Sequence, residues 1–359
     1  MSVLIFIIVL GVLIFIHELG HFLVAKKSGI RVDEFAIGFP PRIFSVKKGG
    51  TEYSLNLIPF GGYVKIYGET PEDGATDKSA TNSMINKPKW TQALVLIAGV
   101  VFNFILAALI FFVLFLRGVE FNADLVPYAS EESQVRVSYI VPDSMAQGAG
   151  VATNDVVRSV RVADSATVTT DNKEILTALF AEKKQKTEVV FQNDERGEYM
   201  ITFVPPSEDT KFGISLIDSV YIKAGPITAA KYAFLATGHM TKLTAVGLFQ
   251  FFGDLFTGQA DFKEVAGPVG IVGLVDQAAE SGINDLLLLT AIISINLAVL
   301  NLMPFPALDG GRLAVVAIES VIRRDLNYKK IAVINLAGFV LLISLMILLT
   351  VHDVKNLFN

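Results

Sequence analysis

His17, Glu18 and His21 form the pattern His17-Glu18-Leu19-Gly20-His21 inside the first apolar run of the chain. On a helix, positions four apart share one face, so the two imidazoles can hold one metal ion between them. Glu18 lies beside that face, where a carboxylate can take a proton from water that the metal activates. In soluble sequences an HExxH pattern is loose and is often a solvated helix face. Here the surrounding run, Ser2–Ala25, is long enough to cross a bilayer as a helix. Ionisable groups at that depth are costly to bury and mark a functional site by default.

The frame for such a site is a membrane protein. The 359-residue chain is 52% apolar and only 18% charged, which is outside the usual balance of a soluble domain. Four runs are long enough to span: Ser2–Ala25, Ala93–Leu116, Asp285–Met303 and Ile331–Val351. Cysteine is absent, which excludes disulfides and thiolate-bound zinc. No basic patch points to nucleic acid as a partner; the partner surface is the lipid bilayer. The first run is not expected to be a cleaved leader, because it lacks a basic start and a small-residue cleavage site. Cleavage would also discard both histidines.

Charge orients the spans. Lys26 and Lys27 follow the first, Lys87 and Lys89 precede the second, and Arg312, Arg323, Arg324, Lys329 and Lys330 follow the third. The positive-inside rule then assigns residues 26–92 and 304–330 to the cytoplasm, and residues 117–284 with both termini to the outside. A metal at His21 would sit about 8–13 Å below the cytoplasmic surface.

Between the spans, Phe35–Lys47 and Tyr53–Ile66 mix aromatic and β-branched residues with Gly and Pro and read as short strands. The stretch Asn56–Lys65, with Gly61, Gly62 and Tyr63, fits a hairpin dipping into the membrane or an ordinary soluble hairpin; composition leaves both open. Residues 69–86 are polar. Residues 120–206 predict a β-rich domain, with strands at Val135–Val141, Asp155–Val160, Glu188–Gln192 and Tyr199–Val204 and helical periodicity over Lys173–Lys183. That order resembles a PDZ domain, with a generic β-domain as the alternative. Lys223, Lys231 and Lys242 punctuate 222–252, which suits an amphipathic helix on the outer membrane surface better than a fifth span. Gly267-Pro268-Val269-Gly270-Ile271 is a turn feeding an apolar segment.

The expected fold is therefore a polytopic α-helical membrane protein with four transmembrane helices, a membrane-associated β-hairpin region and an inserted extracytoplasmic β-rich PDZ-like domain. The expected division is 1–116 for the first half of the membrane core, 120–206 for the PDZ-like domain, 207–284 for an interfacial segment and 285–359 for the second half.

A zinc hydrolase uses three protein ligands and keeps one position open, and the motif supplies two. His239 and His352 fall on the opposite side of the membrane in this topology. Asn296 and Asn301 are polar residues inside the third run, and Asp309 follows it, emerging at about the depth of His21. Pro304 and Pro306 break the helix there and expose backbone groups that a substrate strand could use.

At these residues the chain resembles the site-2 protease family of intramembrane zinc metalloproteases, in its bacterial RseP-like branch. The resemblance rests on the motif of the first span together with Asn301-Leu302-Met303-Pro304-Phe305-Pro306-Ala307-Leu308-Asp309-Gly310-Gly311. It extends to Ile58–Lys65, Lys87–Trp90, Phe102-Asn103-Phe104, the PDZ-like domain and Gly267–Ile271. It implies Zn2+ bound by His17, His21 and Asp309, Glu18 as the base, and Asn301 as a substrate-contacting or transition-state residue. It implies a loop at Gly61, Gly62 and Tyr63 that offers a β-edge to an unwound substrate. The chain departs from the family pattern in having room for one PDZ domain where tandem pairs are familiar. It also has Gly99-Val100 where Gly-Pro is usual and Arg312 where His is common.

The expected function is an intramembrane zinc endopeptidase of the bacterial inner membrane, acting on single-span membrane proteins. Resemblance adds a cascade in which an upstream site-1-type protease first trims the substrate, with a signal-peptide remnant or an anti-sigma factor as substrate. A metal transporter is the rival from another class, but the fourth run carries almost no polar residues to continue an ion path. A PDZ-bearing scaffold with a dead site is opposed by the intact motifs.

The orientation is testable because the chain has no cysteine. A cysteine placed at Thr170 should react with a membrane-impermeant thiol reagent in intact spheroplasts, and one at Asp77 only after lysis. The reverse pattern would invert the topology.

Overall fold

The computed structural model describes residues 2–69, 79–127, 133–141, 144–162, 186–193, 196–204, 212–259 and 267–358. The polar stretch 70–78, the turn at 142–143, the helix expected at Lys173–Lys183 and residues 260–266 lie outside the described residues. The chain forms two compact units, Met1–Leu114 with Thr237–Asn359, and Phe115–Ala236.

In the first unit, four helices are long and apolar enough to cross a membrane: α1 (Ser2–Lys27), α2 (Lys89–Arg117), α6 (Ile283–Leu302) and α8 (Tyr328–Phe358). They cover the four expected runs, and the chain is a polytopic membrane protein. α8 shows why lipid is needed: Val333 is 66% and Leu336 63% exposed, a surface that water would penalise. α1 and α2 touch backbone to backbone. A Cβ on Gly20 would lie 2.4 Å from the Ala98 carbonyl oxygen, so only glycine permits the approach.

After α1 come β1 (Val32–Lys48) and β2 (Thr51–Ile66), each one long bent strand over a stretch expected to hold short strands and turns. Each bends and pairs twice: Glu34 lies opposite both Lys65 and Glu52, and Ile37 opposite both Gly62 and Leu55. The outer half of β1 pairs with Thr51–Asn56. The result is four segments in the order 42–48, 51–56, 32–37, 62–66, in which the two outer pairs run antiparallel and 32–37 ascends in step with 51–56. The core beneath them holds Ala25, Ile30, Val32, Ile66, Val95, Leu96 and Val316. Val316 belongs to α7 (Asp309–Ile322), whose buried Glu319 takes Lys89 Nζ at 2.7 Å and the Leu326 N–H at 2.8 Å. That carboxylate is buried because it is paired.

Two further helices complete the unit, α4 (Pro226–Thr257) and α5 (Pro268–Ser281). Asp353 of α8 accepts from the Gly270 N–H at 2.8 Å, at the start of α5. The stretch 222–252, expected on the outer surface, is from Pro226 on part of one continuous helix, and its later half contacts the third span and the loop after it. The Thr244 hydroxyl donates to Asn296 Oδ1 at 2.8 Å, and Phe252 stacks on Phe305 with ring centroids 6.4 Å apart. Thr244 and Asn296 thus join α4 to α6, each supplying the polar partner that hydrocarbon denies.

The second unit is a six-stranded sheet, in the order β3 (Val119–Asn122), β8 (Ile214–Ile222), β4 (Gln134–Ile140), β5 (Val156–Val162), β6 (Thr187–Asn193), β7 (Gly197–Phe203). A single helical turn, α3 (Met145–Gly148), follows β4. The boundary expected at 206 is corrected here: β8 falls in the stretch assigned to the interfacial segment, yet it pairs with both β3 and β4. Val135, Val157, Val160, Val189, Phe191, Phe203 and Phe212 are buried under the sheet. Fully buried Asp155 is satisfied by the Ala152 N–H at 2.7 Å, by Asn193 and by the Tyr199 hydroxyl. Burial, and then the bond to Asp155, push the Tyr199 phenol up.

Asp155→Ala would leave these three donors without an acceptor, at roughly 1–3 kcal/mol each before relaxation. The expected outcome is selective loss of hydrogen-exchange protection across β5–β7, with the membrane helices unchanged. Equal protection in the variant would show that the cluster does not hold the sheet.

Candidate metal centre

α1 contributes His17 and His21 one turn apart, both nearly buried. The facing stretch of α2 is shaped to receive them. A Cβ on Gly99 would lie 2.4 Å from His21 Nε2, so the missing side chain is the space the imidazole occupies. The His21 Nδ1–H donates to the Val95 carbonyl at 2.7 Å, which leaves Nε2 as the free lone pair.

Asp309 comes from the other half of the chain, at the first residue of α7. The loop before it is fixed from α8. A Cβ on Gly338 would lie 2.6 Å from Pro306 Cβ, and Asn335 Oδ1 faces the Ala307 N–H at 3.4 Å. Ala307 sits at φ 74°, a left-handed conformation that a residue with a Cβ rarely adopts. Arg312, one turn into α7, binds the Glu69 carboxylate and donates to the Glu69 carbonyl at 2.6 Å. That bond ties α7 to the end of β2.

The three donors converge. Asp309 Oδ2 lies 3.0 Å from His17 Nε2 and 3.2 Å from His21 Nε2, and the two Nε2 atoms are 3.1 Å apart. Tetrahedral zinc with bonds of about 2.0–2.1 Å separates adjacent donors by about 3.3 Å, so the triangle fits the ion. Two imidazoles and a carboxylate are donors that zinc accepts, and three protein ligands leave one position for water or substrate. Among the described residues this is the group able to hold a metal; His239 and His352 are not in it.

Glu18 is half-buried, and the backbone of Val64 in β2 faces its carboxylate. Gly61, Gly62 and Tyr63 precede Val64 on the same strand, and a Cβ on Gly62 would touch Ile14 of α1 at 3.8 Å. Tyr63 stacks on Phe39. Asn301 is half-buried on the last turn of α6, with no side-chain hydrogen bond among the described residues, and Pro304 is exposed beyond it. The sequence reading passed over Gly99, Val95 and Asn335 as contributors. Gly99 and Val95 were visible as positions four apart in an apolar helix; the tie from Asn335 to Ala307 spans a loop whose path no local pattern gives.

The family model for peptidase family M50 matches residues 5–345. A protein of Clostridium perfringens that bears the name zinc metalloprotease is 36% identical over 343 residues, covering 95% of each chain. A Fusobacterium nucleatum protein of the same designation is 31% identical over 369 aligned positions, covering the whole of each chain. The regulator of sigma-W protease RasP of Bacillus subtilis is 28% identical over 436 aligned positions and 99% of each chain. The chain belongs to peptidase family M50 and is a zinc metalloprotease of the site-2 type.

Proposed function

We propose that this protease cuts single-span membrane proteins within the membrane, with His17, His21 and Asp309 as zinc ligands, Glu18 as general base and Asn301 as an oxyanion donor. The observation that carries this reading is the three-donor triangle assembled from two halves of the chain. Zinc in such a site supplies Lewis acidity, which activates water and polarises a carbonyl. Glu18 takes the proton of the attacking water and returns it to the leaving amine nitrogen. The Asn301 amide has N–H groups free to donate to the developing oxyanion.

A helical substrate hides its carbonyls, so it must unwind and be held extended. The segment Gly62–Ile66 is paired on one side with residues 32–37, and no strand covers its other side among the described residues. Its Val64 backbone faces the Glu18 carboxylate. An extended substrate added at this edge would lie beside the base, with Gly61, Gly62 and Tyr63 along it and Pro304 and Pro306 across from it. The basic clusters favour a site toward the cytoplasm and a second unit, PDZ-like, outside. The Bacillus relative is named a regulator of sigma-W protease, which is in keeping with an anti-sigma factor as substrate; prior trimming by another protease rests on the family resemblance alone.

His17→Ala, His21→Ala and Asp309→Ala should each lose zinc and cleavage together. Glu18→Gln should keep the metal and lose cleavage by about 10²–10⁴-fold. Metal analysis beside cleavage of a tagged transmembrane substrate reads both; full zinc in Asp309→Ala would remove Asp309 from the ligand set.

The second unit should act as a filter. Val119 and Ile222 are paired neighbours, so residues 120–221 can be replaced by a short glycine linker without separating α2 from α4. The excised protein should keep its zinc and should now cleave substrates that retain a bulky external domain. Unchanged rejection of untrimmed substrate would assign the filtering to another part of the molecule.

A further inference from the structure

We infer that Asn103 is a positioning residue for His17, its amide oxygen accepting a hydrogen bond from the imidazole Nδ1–H. The inference rests on the reading of His17, His21 and Asp309 as the zinc ligands.

His17 turns Nε2 toward the other two donors, 3.1 Å from His21 Nε2 and 3.0 Å from Asp309 Oδ2. A ring nitrogen that ligates a cation carries no proton, so the proton of neutral His17 resides on Nδ1. That N–H lies in a buried helix contact and needs an acceptor. The group facing it is the Asn103 amide, 3.2 Å away, with Nδ2 toward the ring. In that orientation two donors oppose each other, while Asn103 Oδ1 is buried without a partner. The two ends of a carboxamide have nearly the same shape, and their assignment follows from the hydrogen bonds they can make. A half-turn of the amide puts the oxygen on Nδ1–H and removes the opposition.

Asn103 is placed for this task. It is fully buried, and its main-chain carbonyl accepts from the Ser294 hydroxyl of α6 at 2.9 Å. Val95, Gly99 and Asn103 are spaced by four and share one face of α2. Val95 gives a carbonyl to His21 Nδ1–H, Gly99 gives the space for the ring, and Asn103 gives an amide to His17. Each ligating histidine then has its outer nitrogen satisfied by α2. An asparagine serving only as glue between helices would have no reason to meet the ring nitrogen opposite the metal-facing one.

The test uses the full chain in detergent and zinc as the probe. Asn103→Leu keeps the volume and removes the acceptor, and should weaken zinc binding by about 10–100-fold in chelator competition. Asn103→Asp keeps the acceptor and should stay within about threefold of wild type, a rescue that a packing role would not produce. With Co2+ in place of zinc, the visible ligand-field bands should shift in Asn103→Leu and hold in Asn103→Asp. Wild-type zinc affinity in Asn103→Leu, while Asp309→Ala loses the metal, would overturn this inference and leave the ligand set standing. Retention of zinc by Asp309→Ala would instead overturn the ligand set. If Asn103→Leu does not fold, NMR of the zinc-loaded wild type decides. A His17 Nδ1–H proton shifted downfield and in cross-peak contact with the Asn103 side chain, whose NH2 protons point away from the ring, supports the inference. Asn103 NH2 protons directed at Nδ1 sink it.

Discussion

Two imidazoles in the middle of an apolar helix must find their partners inside the protein, and much of the membrane unit is arranged to provide them. Water is not there to satisfy a ring N–H at that depth. α2 therefore has to come close enough for its own backbone to serve. Gly20 on one helix and Gly99 on the other remove the side chains that would prevent this, so that the Val95 carbonyl reaches His21. Interhelix contact and ligand orientation are one event here. A larger residue at either glycine would disturb both.

The same need explains why the site closes from the far end of the sequence. With the outer nitrogens turned to α2, the two Nε2 atoms face a space that only a third donor and a cation can fill. Asp309 is brought there by a loop that cannot run freely. Pro306 is pressed against Gly338, Ala307 is held in a left-handed conformation, and Arg312 is bound to Glu69. Lys89 and Glu319 join α2 to α7 on the same side of the unit. Each tie links residues more than twenty positions apart, so the carboxylate is placed by the assembled unit and not by its own helix.

What could be read in the sequence follows from the range of the signal. Spans announce themselves by run length, and HExxH by a spacing within a single helical turn. The alternation in Gln134–Ile140 and Thr187–Asn193 likewise marks strands without reference to partners. Partner choice is another matter. Ile214–Ile222 reads as a stretch near a membrane until it is seen between β3 and β4. The double pairing of β1 with β2 depends on bends that pattern does not encode. Thr244 and Asn296 each look like isolated polar residues in the sequence, and only the folded chain shows that they bond to each other. Asn103 was visible as an amide in an apolar run, but its task depends on which nitrogen of His17 faces inward.

The pairing of Val119 with Ile222 also bears on how the chain reaches its fold. α2 and α4 are separated by about a hundred residues, and bringing the ends of an unstructured loop that long together costs about 4 kcal/mol of chain entropy. Once the six-stranded sheet has formed, its two outermost pairing residues are adjacent and that cost has already been met by the sheet's own contacts. For the membrane helices the excursion then behaves as a short turn. Their assembly then becomes a local search.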